Sequence, residues 1–190
     1  AKFAKNYIKI ILSNSQVIPK NLKKRYTANI TVHYDFGVCR YQGSVRQSGD
    51  LRDHVGFVTG GRPQRSLDVK LSSGNILSSV NFKLLIPNTR NGASEILASL
   101  ILRELGIISP ETFEVPASIN GTLSTLLFQE NAVKEMLEKS LRREGAIFEG
   151  DEQLLWGYKN FKGLELYPLA LSRMVNDNWF LKGYSSQKIT

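Results

Sequence analysis

Apolar and polar residues alternate from Tyr26 to Asp35 (YTANITVHYD), with Tyr26, Ala28, Ile30, Val32 and Tyr34 on one side. A period of two predicts a strand with one face buried. Phe36-Gly37 marks a turn, and Val38 to Arg46 (VCRYQGSVR) returns as the second arm of a hairpin. Before this, residues 6–12 (NYIKIIL) are β-rich and predict a strand, and Ser13 to Arg25, with Pro19 and a basic cluster, reads as a loop. Residues 47–64, with Gly49, Gly56, Gly60, Gly61 and Pro63, read as a long loop of the kind usually tied to function. Short strands follow at Ser66 to Leu71 and at Asn81 to Pro87, separated by a polar turn around Gly74-Asn75.

The period then changes. Ala93, Ile96, Leu97, Leu100, Ile101 and Leu105 follow helical spacing, with Asn88 or Thr89 as the cap. Gly106 and Pro110 end the helix. Phe113 to Ser118 and Leu123 to Gln129 predict a hairpin turned by Asn120-Gly121. Asn131 to Arg143 predicts a second helix, with Val133, Met136, Leu137 and Leu141 apolar. Beyond Gly145 the pattern weakens: Leu154 to Leu166 is aromatic and mixed, and Ser172 to Trp179 reads as the start of a further helix. The tail, LKGYSSQKIT, is expected to continue past Thr190. The expected fold is α+β, a mostly antiparallel sheet carrying a long packed helix. It divides into a sheet-and-helix lobe over 1–144 and the beginning of a truncated helical segment over 145–190.

Composition narrows the function classes. With 42% hydrophobic residues over 190, the chain can bury a core. No apolar run approaches the ~18 residues of a membrane span. The N-terminal YIKIIL is interrupted by Lys9 and is too short for a signal core, although a first residue other than Met is compatible with upstream processing. The single Cys39 excludes an internal disulfide and a cysteine zinc site, and His33 and His54 form no ligand-spaced cluster. Two sequons, Asn29-Ile30-Thr31 and Asn120-Gly121-Thr122, carry little weight alone.

The net charge of +8 is concentrated at one end: Lys2, Lys5, Lys9, Lys20, Lys23, Lys24 and Arg25 all precede the first acid, Asp35. Two readings stay open. Lys20, Lys23, Lys24 and Arg25 dock an anionic surface, or the lysines are a solvated edge that discourages strand pairing. Nucleic acid is not an expected partner, because the patch lacks interleaved aromatics and matches no binding motif.

Four ordered blocks carry a resemblance. They are GSVRQSGD (Gly43 to Asp50), PQRSLDVKL (Pro63 to Leu71), FKLLIPNTRNGASEILASLILRELG (Phe82 to Gly106) and VPASINGTLSTLLFQENAVKEML (Val115 to Leu137). Their order and spacing resemble the CotH family of spore-coat and secreted proteins, whose fold is an atypical protein kinase. Gln47 stands where that family has a glycine, and Gln64-Arg65 where it has paired lysines.

The resemblance implies a kinase-like small lobe followed by the start of a helical lobe, binding ATP and Mg²⁺. A kinase needs a strand cation for the phosphates and a helix carboxylate to orient it. Lys70 and Lys83 are the two strand cations, Glu95 is the carboxylate, and Arg46 belongs to the phosphate-loop block. Gly49, Gly60 and Gly61 supply a flexible cover. Arg90-Asn91 would fix the helix start, and Glu130 would lie at the hinge, reading adenine or ribose or capping the next helix. No Asp is followed five residues later by Asn and no DFG-like triplet occurs, so no catalytic residue is assigned. Asp151-Glu152 and Asp177 pair with nothing, and the metal-binding acids are expected beyond Thr190.

The implied function is the nucleotide-binding part of a CotH-like kinase, incomplete for phosphoryl transfer, with a protein substrate or coat partner and a surface, coat or secreted location. The alternative is a non-catalytic assembly module that docks an anionic partner through the basic segment.

Overall fold

The computed structural model describes residues 2–13, 15–150 and 172–176. The chain forms two compact units, Ala1–Asn131 and Ala132–Thr190. The first contains helix α1 (Lys2–Leu12), the hairpin β1 (Tyr26–Tyr34) and β2 (Gly37–Gln47), and a second hairpin, β3 (Val55–Val58) and β4 (Arg62–Arg65). Strands β5 (Leu67–Leu71) and β6 (Asn81–Leu85), helix α2 (Ala93–Glu104), and the hairpin β7 (Thr112–Ile119) and β8 (Thr122–Glu130) follow. The second unit contains helix α3 (Lys134–Lys139) and the strands β9 (Phe148–Gly150) and β10 (Ser172–Met174), which pair antiparallel. There Asn176 ties the chain together, donating to the Gly145 carbonyl and accepting from the Ile147 amide.

Six strands make one sheet in the order β1-β2-β5-β6-β8-β7, every neighbouring pair antiparallel. One row of opposed residues runs Gln47, Leu67, Leu84, Phe128, Phe113, and the next runs Val45, Val69, Phe82, Glu130. Side chains opposite each other share a face, so these rows place Leu67, Val69, Leu71, Phe82 and Phe128 in one core with Ile76. Ile30 and Val32 close over it from one end of the sheet, and Phe113, Val115 and Ile119 from the other. Gly43 permits the β2–β5 approach: a Cβ there would lie 2.5 Å from the Lys70 carbonyl oxygen. At the other hairpin, Asn120 (φ 51°) and Gly121 (φ 84°) supply the two left-handed residues that a tight two-residue turn needs.

The sheet curls into a half-barrel, and this corrects the expected α+β class with its long packed helix and kinase-like small lobe. The protein is mostly antiparallel β, and its helices are short. α2 lies where the spacing predicts it, but Ser99 is its only buried residue. Leu97 and Leu105 are 59% and 69% exposed, and Leu100 and Ile101 are also exposed. The apolar residues of α2 run round most of its circumference rather than along one stripe. The curled sheet meanwhile covers its own apolar face from both ends, so no helix is needed as the second layer.

Residues 6–12 are helical rather than extended. Ile10 and Ile11 both pack against the small cluster of Ile18 and Val55. In a strand these neighbours would point to opposite faces. The segment 47–64 contains the β3–β4 hairpin and a 3₁₀ turn at Arg52–His54, not one long loop. The second helix is shorter than predicted, and Ser172–Met174 is strand rather than helix. The aromatic stretch 154–166 and Asp151, Glu152, Asp177 and Trp179 lie outside the described residues. Among the described residues no helix is long and apolar enough to cross a membrane.

Replacing Gly43 with Ala is expected to destabilise the protein by about 1–3 kcal/mol, the usual penalty for overpacking. Urea unfolding of the variant measures this, and an unchanged midpoint would show that β2 and β5 separate at no cost.

Candidate functional site

The face of the sheet opposite the core carries a polar row. Arg46 on β2 opposes Asp68 on β5, Asp68 opposes Lys83 on β6, Lys83 opposes Gln129 on β8, and Gln129 opposes Thr112 on β7. One pleat along, Ser44, Lys70 and Asn81 form the next row on the same face. The period of two that sends Leu67, Val69 and Leu71 into the core sends Asp68 and Lys70 the other way.

Asp68 organises this face. Its carboxylate is buried and accepts from the Nε and Nη2 of Arg46 at 2.9 and 2.7 Å, and from the Nη2 of Arg25 at 2.5 Å. Arg25 also donates from Nη1 to the Ser44 carbonyl at 3.2 Å. Two guanidiniums share one carboxylate, so their charge is only half balanced, and the Arg46 side chain remains 47% exposed. At the far end, the Gln129 Nε2 donates to the Glu95 Oε1 at 2.6 Å, which brings the first turn of α2 to the row. Arg25, Arg46, Lys70 and Lys83 therefore face Asp68 and Glu95. A planar guanidinium held at one edge by a carboxylate presents its other N–H groups in the geometry that phosphate oxygens accept.

The predicted site residues divide accordingly. Arg46, Lys70 and Lys83 share this face, and Glu95 reaches it through Gln129. Glu130 does not join them. It sits on the core face opposite Phe82, where its carboxylate accepts from the Ser79 hydroxyl and from the Glu111 amide, both at 3.3 Å. Gly60 and Gly61 form the exposed tip of the β3–β4 hairpin, where a Cβ on either would meet nothing within 4 Å. Gly49 is structural: with φ 80°, it lies against the His54 ring, which a Cβ would meet at 2.0 Å. Asn91 adopts a left-handed conformation that ends a 3₁₀ turn, and Gly92 precedes α2 with no side-chain cap. Thr89 bonds back to the Ile86 carbonyl instead of capping α2.

Gln47, read from the sequence as standing in place of a glycine, is a buried strut. Its Nε2 donates to the carbonyls of Ser48 and His54, joining the end of β2 to the base of the β3–β4 hairpin. His54 Nδ1 lies 2.9 Å from the Ser66 hydroxyl, which also accepts from the Ile86 amide. Ser66 is fully buried, so this Ser–His pair is a clamp and not a nucleophile. Burial pushes the His54 pKa down, as do the nearby cations Arg90 and Lys23, against the pull of Asp53 and Asp50.

In the basic segment, Lys23 pairs with Asp50 and Arg25 with Asp68, while Lys20 and Lys24 are exposed. The Lys23 hydrogen bond holds the Asp50 carboxyl below its ordinary range. Sequence reasoning missed Asp68, and it placed Arg25 in the basic docking segment without its pairing to Asp68. The signal for Asp68 was present: an acid alternating with leucine and valine in LDVKL must face away from the core. Arg25 carried no such signal, because it precedes β1 and meets Asp68 only across the sheet. Among the described residues no cluster of three or more His, Cys, Asp or Glu is placed to hold a metal ion.

Compared with known proteins, the chain matches no family model and no curated protein.

Two outcomes follow. Asp68→Asn leaves two guanidiniums facing each other with no carboxylate between them. After discounting for the exposure of both arginines, a loss of about 1–3 kcal/mol is expected in chemical unfolding. For His54 the depressed folded pKa means that the unfolded chain binds the proton first. Stability is full above pH 6.5 and falls as the pH drops from there towards the folded pKa. His54→Gln is expected to flatten that part of the stability–pH curve, and an unaltered slope would assign the dependence to other groups.

Proposed function

We propose that the unit Ala1–Asn131 binds the phosphates of a nucleoside triphosphate on its polar row, as the nucleotide-binding part of a CotH-like atypical protein kinase. The observation that carries this reading is the convergence of Lys83, Gln129 and Glu95. The strand cation lies opposite the glutamine that holds the carboxylate of α2. Lys83 supplies the principal ammonium, and Arg46 and Lys70 supply charge-assisted hydrogen bonds from the neighbouring strands. Gln129 and Glu95 set the position of the row's far end.

The donor set fits phosphate. It does not fit a dedicated Mg²⁺ site, because both oxygens of Asp68 are taken by guanidiniums. In this proposal the ion arrives with the triphosphate, and the chain's own contribution is to bind and orient. Glu130, turned to the core, supplies no contact for the base.

The other reading, a non-catalytic assembly module, relies on the basic segment. Lys23 and Arg25 are held in internal ion pairs, and Lys20 and Lys24 are exposed outside those pairs.

Calorimetric titration with Mg-ATP tests the proposal. Lys83→Ala is expected to weaken binding at least tenfold, consistent with about 1.5–3 kcal/mol for a hydrogen bond to a charged group. Lys70→Ala is expected to weaken it less. Unchanged affinity in both variants would remove the site, and no heat with the wild-type protein would leave the assembly module as the better account.

A further inference from the structure

The β1–β2 hairpin extends beyond the rest of the sheet. β2 pairs with β5 only from Gly43 to Gln47, and one further bond joins the Ser72 amide to the Gln42 carbonyl. From Ile30 opposite Tyr41 to Tyr34 opposite Gly37, the hairpin is a two-stranded ribbon. One side of it is half-buried: Ala28, Ile30, Val32, Tyr34, Cys39, Tyr41 and Val45. The other side carries Thr27, Asn29, Thr31 and His33 on β1 and Val38, Arg40, Gln42 and Ser44 on β2.

The composition of that outer side is unusual for a solvated strand surface. It holds no Lys, Asp or Glu, the residues that ordinarily keep a strand edge soluble. Asn29, of low strand propensity, sits mid-strand directly opposite Gln42, and Thr31 sits opposite Arg40. Among the described residues, the side chains of Thr27, Asn29, Thr31, Arg40 and Gln42 make no hydrogen bond or ion pair within the protein. All five are exposed, so their donors and acceptors are open to solvent or to a partner.

We propose that this ribbon enters the major groove of duplex DNA. Two strands about 4.8 Å apart, with their side chains, match a groove about 12 Å wide. The outer residues are those whose geometry suits base edges: Asn29 and Gln42 for adenine, Arg40 for guanine, and Thr27 and Thr31 for either edge or for a thymine methyl. At the ribbon's base, Arg46 and Lys70 lie on the same face and Arg25 and the exposed Lys24 immediately precede β1, and in this proposal these cations contact phosphates. The deep, narrow major groove of duplex RNA excludes such a ribbon. A single strand is disfavoured because the outer row has no aromatic on which a base can stack. Phe36, 81% exposed, belongs to the turn and stacks on Tyr34 of the other side. The basic segment alone did not indicate nucleic acid. The pleat does, by collecting onto one face residues that are dispersed in sequence.

The test is fluorescence anisotropy with a labelled DNA duplex of about two helical turns, titrated at several salt concentrations. The full chain is expected to bind with an affinity that falls steeply with salt, and to bind the same sequence as duplex RNA at least tenfold more weakly. A triple variant, Asn29→Ala with Arg40→Ala and Gln42→Ala, is expected to lose at least tenfold for DNA while its response to Mg-ATP is unchanged. Circular dichroism checks that this variant is folded, and Arg40→Glu alone, at an exposed position, serves if it is not. No binding by the wild-type chain, equal binding of the two duplexes, or undiminished binding by the folded variants would overturn the proposal.

Discussion

Phe128 stacks on Phe113, directly opposite it on β7, and on Phe82, diagonally across on β6, with ring centroids 4.8 and 4.9 Å apart. This contact sits where three strands meet and sets their register. A slip of one residue would turn every side chain of a strand to the other face. It would turn Leu67, Val69 and Phe82 away from the core and Asp68 and Lys83 into it. The polar row exists because the aromatic register leaves those residues nowhere else to point. Core and candidate site are two sides of one constraint.

The second constraint is electrostatic. A buried carboxylate needs partners, and Asp68 finds them in Arg25 and Arg46. The pair ties the segment before β1 to the centre of the sheet. It also leaves more positive than negative charge on that face, the condition for attracting an anion. The same economy appears at the β3–β4 hairpin. Gln47, His54 and Ser66 join its base to the sheet with hydrogen bonds, and Gly49 makes room for the imidazole. A position that looked like a lost phosphate-loop glycine is occupied by a strut.

The structure thus presents two polar surfaces of different character. The row around Lys83 is cationic and joined to α2 through Gln129 and Glu95. The outer side of the β1–β2 ribbon is uncharged over most of its length and stands clear of the other strands. Phosphate chemistry suits the first, and base-edge chemistry suits the second. Arg25 and Arg46 lie where the two meet. The exposed leucines of α2 belong to neither surface.

Local patterns were enough to place most of the first unit's strands. The hairpin expected at Phe36-Gly37, which turns one residue earlier at Asp35-Phe36, the hairpin at Asn120-Gly121, the strands through Asp68 and Lys83, and the span of α2 with its stop at Gly106 follow from alternation, turn chemistry and helical spacing, which depend on neighbouring residues alone. The same patterns did not reveal that α2 would remain outside the core. Periodicity marks an apolar helix, but whether a sheet needs it depends on whether the sheet can curl over itself. They misread residues 6–12, where Ile10 and Ile11 lie on a helix and pack together on Ile18 and Val55. The third dimension also decided which carboxylate holds Arg25 and Arg46, why Glu130 turns inward, and that Asn29 and Thr31 lie beside Gln42 and Arg40. Each is a pairing between residues far apart in the chain, and only strand register brings them together.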